Sequence, residues 1–471
     1  MSLAYHLALG YTGMSDSTSA TVSLSTRYGH LGVSHALWSL LQPIASKTSS
    51  LSEGVQFTMS SGGIMAFYRD DWNKGILFRR LPSQARLIEE YSWKIDVPTG
   101  TLQFRMDPSQ DLLAVAVRGH EGDALTITAP TQAGVSVTLF DIYGPNAFVL
   151  CHGGRSPTGG GLFIYNWKTG ATRSVLIGHE ILSVDFISDD QVLLACRDDN
   201  ARPGFSSPSI IVRNIVESSP REEPNPVTHE GENHHRVSPR MGRIVEFLLP
   251  DLAPSRNLAS VVFHSDKMLS SPSAASGSHV PFYSARDDRL ILIHIGFTTD
   301  GGRDVFFLLY VLSSTVCKFT TQYASPGDAD GRVGVPWEAW GTTGTRVDYD
   351  PPWEPFEDIA DCRFISRQGN QLVVLDFHPV RTRRPADGQV FVSEIPGDGR
   401  VRYRQEFARE MVEARLSCVE RRMRLSDELG RNFEQTAVHL SEDTIVVAIY
   451  GNEGDVDDDA QGEQTLHMYS F

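Results

Sequence analysis

What most constrains this 471-residue chain is a cassette that returns four times: an alternating segment, a polar turn, then an unbroken apolar run. It reads Leu102-Gln103-Phe104 before Leu112-Leu113-Ala114-Val115, and Val184-Asp185-Phe186 before Val192-Leu193-Leu194-Ala195. Two further copies are Cys362-Arg363-Phe364 before Leu372-Val373-Val374-Leu375, and Val438-His439-Leu440 before Ile445-Val446-Val447-Ala448. A half-buried strand alternates and a fully buried one does not, so each cassette predicts a hairpin of one strand of each kind. The anchors Phe104, Phe186, Phe364 and Leu440 lie 82, 178 and 76 positions apart. The first and last intervals are near two units of about 40, the period of a four-stranded propeller blade.

From Gly54 onward, further short β-prone runs follow the same style, among them Gly63 to Tyr68, Ile76 to Leu81, Val135 to Ile142 and Leu162 to Trp167. Gly144-Pro145-Asn146, Lys168-Thr169-Gly170 and Asp300-Gly301-Gly302 carry the residues of tight turns. Five inserts read as loops: Val216 to Gly242, Met268 to Val280, Ala324 to Asp358, Arg381 to Gly388 and Asn452 to Glu463. With these and residues 1–53 set aside, seven blades take about 46 residues each and six take about 54, against roughly 40 to 45 for such a blade. The expected fold is therefore all-β: a β-propeller of about seven four-stranded blades over 54–471, eight being the next count, behind an N-terminal segment over 1–53. That segment holds one expected helix, Tyr28 to Gln42, with Leu31, His35, Trp38 and Leu41 near one face and Pro43 as its stop. A second helical signal, Arg404 to Leu429, has favourable i,i+4 pairs such as Arg409 with Glu413 and Glu420 with Arg424, and reads as a solvated helix.

Composition sets the class. Hydrophobic residues make up 41% and charged residues 21%, which excludes collagen-like, coiled-coil and wholly disordered chains. A net charge of −16 argues against a phosphate backbone or an anionic lipid surface as partner. Met1 to Gly13 lacks the basic start of a secretory signal, and the longest clean apolar run, Val305 to Leu312, is too short to span a bilayer. Neither export nor a membrane partner is expected. Five cysteines, at least 45 positions apart, suit buried thiols in a reducing cytoplasm or nucleus rather than a disulfide set.

No chemistry emerges at recognisable spacing. Gly154 to Gly161 has phosphate-loop glycines, but Gly160-Gly161 stand where Lys-Ser/Thr must be, and a strand follows instead of a helix. His152-Gly153-Gly154 is similar to an esterase oxyanion loop with no nucleophile elbow to serve. Asp455, Asp457 and Asp459 begin a calcium-loop pattern that Ala460 and Leu466 break. His229, His234 and His235 lie in a Pro- and Glu-rich insert without other fixed ligands. The expectation is no catalytic residue, no metal and no cofactor. The insert 324–358 differs, because Trp337, Trp340, Tyr349, Trp353 and Phe356 crowd a loop stiffened by Pro336, Pro351, Pro352 and Pro355. Large rings on a stiff loop bury much area at low entropic cost, which suits a protein-binding surface. They equally suit a plug at the propeller end or a cover for a blade edge.

Two resemblances add to this. Phe163-Ile164-Tyr165-Asn166-Trp167-Lys168-Thr169-Gly170, then Gly178-His179, then Val184-Asp185-Phe186-Ile187-Ser188-Asp189-Asp190, resembles one blade of the WD-repeat family, with no Trp-Asp dipeptide in the chain. In that family the Gly-His histidine is structural, which His179 is expected to be. Separately, Ile76 to Ser83, Arg86, Ile88-Glu89-Glu90, Trp93 and Met106 to Val115 resemble the region after the F-box in a family of fungal F-box proteins. Tyr5, Leu9, Gly13, Met14, the turn Ser23 to Arg27 and Trp38 match its opening, whereas Ala8, Gly10 and Thr12 depart from it. The resemblance implies a non-enzymatic substrate receptor of a cullin-based ubiquitin ligase, with the β-rich body holding a protein target. The chain begins where the F-box would end, so the helices that dock on the ligase adaptor are not expected within it. The alternatives are an adaptor-free interaction scaffold and a propeller hydrolase. The hydrolase would need Asp, Glu and His converging at the channel mouth.

Overall fold

All four cassettes fold as antiparallel hairpins in the computed structural model of this protein. The structure describes residues 1–117, 135–153, 161–215, 244–266, 281–323, 332–349, 358–401, 412–449 and 464–471. Excepted within these are 13, 18–19, 52–54, 62, 70–74, 99–100, 178–179, 198–207, 251–255, 285–287, 300–303, 384–389, 393–399, 402–411, 414, 427–428 and 430–435.

Among the described residues, six blades form a β-propeller. Blade 1 is built from Val55–Ser61, Ile64–Arg69, Ile76–Arg80 and Tyr91–Ile95. Blade 2 holds Val135–Tyr143, Asn146–Gly153, Gly161–Asn166 and Ala171–Ile177. In blade 3 the strands are Glu180–Ser188, Gln191–Arg197, Pro208–Asn214 and Ile244–Leu248, with Arg332–Val335 added in parallel. Blade 4 holds Arg256–Ser265, Leu290–Thr299, Asp304–Leu312 and Thr345–Tyr349. Blade 5 comprises Asp358–Ala360, Arg363–Gln368, Gln371–Asp376, Cys418–Arg424 and Val390–Val392. Blade 6 comprises Thr436–Leu440, Thr444–Ile449, Gln464–Ser470 and, as its outer strand, Ala45–Leu51. Between blades 1 and 2 lies a two-stranded sheet, Thr101–Asp107 with Leu112–Val117.

Apolar seams run around the ring. Phe78 of blade 1 meets Phe104 of the two-stranded sheet, which lies against the first strand of blade 2. Leu162 and Phe186 share one buried apolar cluster, as do Leu193 and Ile291, Leu308 and Phe364, Ile365 and Val438, and Val446 and Met65, joining blades 2 to 3 and onward back to blade 1. The outer strand of the last blade comes from the N-terminal segment, so main-chain hydrogen bonds between the two ends of the chain close the circle.

The expected count of about seven four-stranded blades is corrected to six among the described residues, because segments expected to lie outside the blades supply strands to them. Residues 324–358, read as a loop, supply Arg332–Val335, an α-helix and Thr345–Tyr349. The segment 1–53, read as separate, supplies Ala45–Leu51. Fewer, larger blades use the same residues.

Among the described residues five α-helices decorate the ring: α1 (Ser2–Thr12), α2 (Leu24–Leu40), α3 (Ser313–Tyr323), α4 (Trp337–Gly344) and α5 (Pro379–Arg383). In α2 the expected face is buried at Leu31 and Trp38, Ser23 caps the amide of Thr26, and Leu41 ends the helix with a left-handed φ of 49°. Trp38 stacks on Phe471 at 4.2 Å, fixing the helix to the chain end. The second expected helix is corrected: Cys418–Arg424 is a strand, and Val412–Glu413 pairs with Arg400–Val401. Val419 and Arg421 are buried in a ladder with Gln371–Asp376, and that pairing overrides a charge pattern that suits a helix. Residues 402–411 lie outside the described ones.

Candidate functional site

The first strand of each blade lies at an edge of its sheet, and those of blades 3 and 4, 4 and 5, and 5 and 6 touch one another, which places them along the central channel of the propeller. On five such strands a charged or imidazole side chain occupies an inner position: Asp141, Asp185, His264, Asp358 and His439. Arg105 does so on the two-stranded sheet. Neighbours on either side are buried, as with Phe104 and Met106, Phe140 and Ile142, Val184 and Phe186, and Val438 and Leu440. Strand alternation turns those into the seams and leaves the polar residue for the channel.

The three acids share one local device. Each carboxylate accepts from the amide of the next residue at 2.8 Å: Asp141 from Ile142, Asp185 from Phe186, Asp358 from Ile359. Each also meets a cation or imidazole from another sheet. Arg105 Nε lies 3.7 Å from Asp141 Oδ1, Arg289 Nη1 3.6 Å from Asp185 Oδ1, and His439 Nδ1 3.6 Å from Asp358 Oδ2. Asp358 Oδ2 further accepts from the amide of Leu440 in blade 6, and Ser183 Oγ accepts from the amide of Phe263 in blade 4. The blades are thus bonded to one another along the channel by side chains.

His264 keeps contact with solvent, yet protein surrounds it closely enough to lower its pKa against the pull of Asp185 and Asp358. Water contact inside a protein enclosure is what a channel wall provides. Beside it, Asp266 is pushed up to about 7 by enclosure and by the charges of Asp361 and Asp358, while the Asp361 amide, donating at 2.9 Å, and Arg289 pull the other way. Arg289 also donates to Ser265 Oγ at 2.7 Å and to the Asp266 carbonyl at 3.0 Å. Its Nε and Nη2, and Oδ2 of Asp185, are buried without a hydrogen-bond partner among the described residues. Such a ring can hold a polar or charged group between opposed charges. Among the described residues no group of three or more His, Cys, Asp or Glu is arranged to hold a metal ion.

The sequence-derived aromatic site falls elsewhere. Trp337 and Trp340 lie on α4, 7% and 1% exposed, in the seam of blades 3 and 4. Trp340 stands edge-on to Phe247 at 5.2 Å and donates through Nε1 to the Leu248 carbonyl at 3.1 Å. Tyr349 ends the outer strand of blade 4, paired with Phe307, and Trp353 and Phe356 lie outside the described residues. His179, His229, His234, His235, Asp455, Asp457 and Asp459 also fall outside them. The channel residues carried a signal in two of the cassettes, Val184-Asp185-Phe186 and Val438-His439-Leu440, where a titratable residue sits between two apolar ones. What one strand could not reveal is that several such residues share a wall.

No protein-family model matches this chain, and no curated protein sequence matches it. Fold and site define a β-propeller with a polar, cross-braced channel.

Proposed function

We propose that this chain is a non-enzymatic protein-recognition propeller, the body of a receptor of the kind that the fungal F-box resemblance implies. The observation that carries this reading is the engagement of the channel carboxylates: each holds a backbone amide and faces a partner from another sheet. Acids spent on joining blades serve rigidity, and a rigid ring presents its rim and loops as a fixed binding surface. The N-terminal segment is fastened through Ala45–Leu51 and Trp38. A receptor needs such coupling to keep two partners at a set separation. The test isolates the tagged full chain from its own cells and probes for the ligase adaptor. Adaptor and a stoichiometric target together support the receptor. A stable partner that survives adaptor depletion supports the adaptor-free scaffold, and neither one sinks recognition altogether.

Two observations favour a second reading, a hydrolytic channel: Asp185 Oδ2 is buried without a hydrogen-bond partner among the described residues, and His264 lies within the field of the same carboxylate. Turnover of an ester, phosphoester or glycoside that Asp185→Asn abolishes would replace the first reading with this one.

A further inference from the structure

Beneath the N-terminal helices, blade 5 gathers three buried arginines near Asp376, more buried cations than paired carboxylates among the described residues. Asp376, at the end of its third strand and 1% exposed, lies 3.2 Å from Arg381 Nη2 of α5 and 3.1 Å from Arg421 Nη1 of the fourth strand. Both arginine side chains are 7% exposed. Arg363, 2% exposed, covers the Trp38 ring of α2 at 4.3 Å and donates to the Glu442 carbonyl at 3.3 Å. Two guanidinium groups therefore pair with one carboxylate, and the buried Arg363 lies within the fields of that carboxylate and of Asp361. The two imidazoles here, His35 and His378, add no counter-charge. Each is pushed down to about 4, by burial first and then by the arginines.

Several nitrogens remain unused. Nε of Arg363, Nε of Arg381 and Nδ1 of His378 are buried without a hydrogen-bond partner among the described residues. A buried cation without a paired anion is expensive, and an unpaired buried donor adds to that expense. Guanidinium forks match the oxygen spacing of tetrahedral oxyanions, which accept from several donors at once.

We propose that Arg363, Arg381 and Arg421 form a binding site for one small tetrahedral oxyanion of the phosphate or sulfate class, held between α2 and α5. The ion supplies the missing negative charge and ties the N-terminal helices to blade 5, where Arg421 Nε already donates to the Ser39 carbonyl at 3.2 Å. Because every arginine here is at least nine-tenths buried, the site takes the free ion in preference to an ester of it.

The experiment uses the full chain. Anion released on denaturing the purified protein is measured by ion chromatography. Protein prepared in chloride alone is then titrated calorimetrically with inorganic phosphate, sulfate, glycerol phosphate and acetate at constant ionic strength. One ion per chain, released or taken up saturably, with the free ions ahead of glycerol phosphate and acetate inert, is the expected result. Arg381→Gln weakens binding by about ten-fold or more, and Arg381→Lys, which keeps charge without the fork, falls between. Asp376→Asn removes the competing carboxylate and tightens it. Neither release nor saturable uptake by the wild-type protein overturns the proposal, as does unchanged affinity in folded Arg381→Gln. Tighter binding of the ester than of the free ion assigns the site to a phosphorylated ligand and overturns the free-ion form.

Discussion

Asp266 and three histidines pull stability in opposite directions with pH. Folded Asp266 keeps its proton to about pH 7, whereas an unfolded aspartate loses it near about 3.9. Between those values the folded chain binds one proton more, so this residue makes stability fall as pH rises. His35, His294 and His378 do the reverse. Burial, helped by neighbouring cationic or imidazole groups, pushes each down to about 4, while an unfolded imidazole binds a proton near about 6.5. Each therefore loses stability as pH falls from about 6.5 to 4. Three groups outweigh one, and stability drops on acidification. In Asp266→Asn the opposing slope is gone. Urea midpoints between pH 4.5 and 7 are expected to fall about one proton more steeply than in the wild type, with the variant the more stable at pH 7. A parallel pair of curves would show that Asp266 ionises normally.

At the level of elements, burial separates the tryptophans of α2 and α4 from the exposed apolar residues of α2. Trp340→Ala empties a ring-sized space between blades 3 and 4 and is expected to cost about 3 to 5 kcal/mol. Leu40→Ala on α2, where the side chain is 64% exposed, is expected to cost no more than about 0.5 kcal/mol. Chemical denaturation of the two variants checks this, and similar losses would contradict the packing described. Much of this level was legible beforehand. The cassettes and α2 carry their period in sequence, and Val305 to Leu312 is the buried strand its apolar run predicts. Cys418–Arg424 was not legible, because Glu420 and Arg424 satisfy helical spacing while the ladder that makes the segment a strand comes from residues nearly fifty positions upstream. The helix that carries Trp337 and Trp340 was illegible for a related reason: prolines around them suggest a stiff loop, but Pro336 is the residue that starts α4.

Across the whole molecule, the blade count failed where long-range pairing reassigns residues. Ala45–Leu51 belongs to blade 6 only because Gln464–Ser470 lies beside it, a fact no local pattern contains. The channel was illegible for the same reason, since Asp185, His264, Asp358 and His439 are brought together by four different sheets. Ring closure carries its own prediction. Removing residues 1–44 takes away α1 and α2 but leaves the closing strand. Removing residues 1–51 bares the edge of Gln464–Ser470. The longer truncation is expected to unfold at lower urea and to form concentration-dependent oligomers, as an unpaired strand edge invites. Light scattering and urea melts distinguish the two, and equal behaviour would mean that the terminal pairing contributes nothing.

That pairing has a consequence during synthesis. Leu51 is synthesised 413 residues before its partner Gln464. At ordinary translation speeds of about 5 to 20 residues per second, the nascent chain waits about 20 to 80 s with that strand unmatched. A chaperone that shields Ala45–Leu51 over this interval would govern how much soluble protein a cell recovers, whatever the stability of the finished molecule.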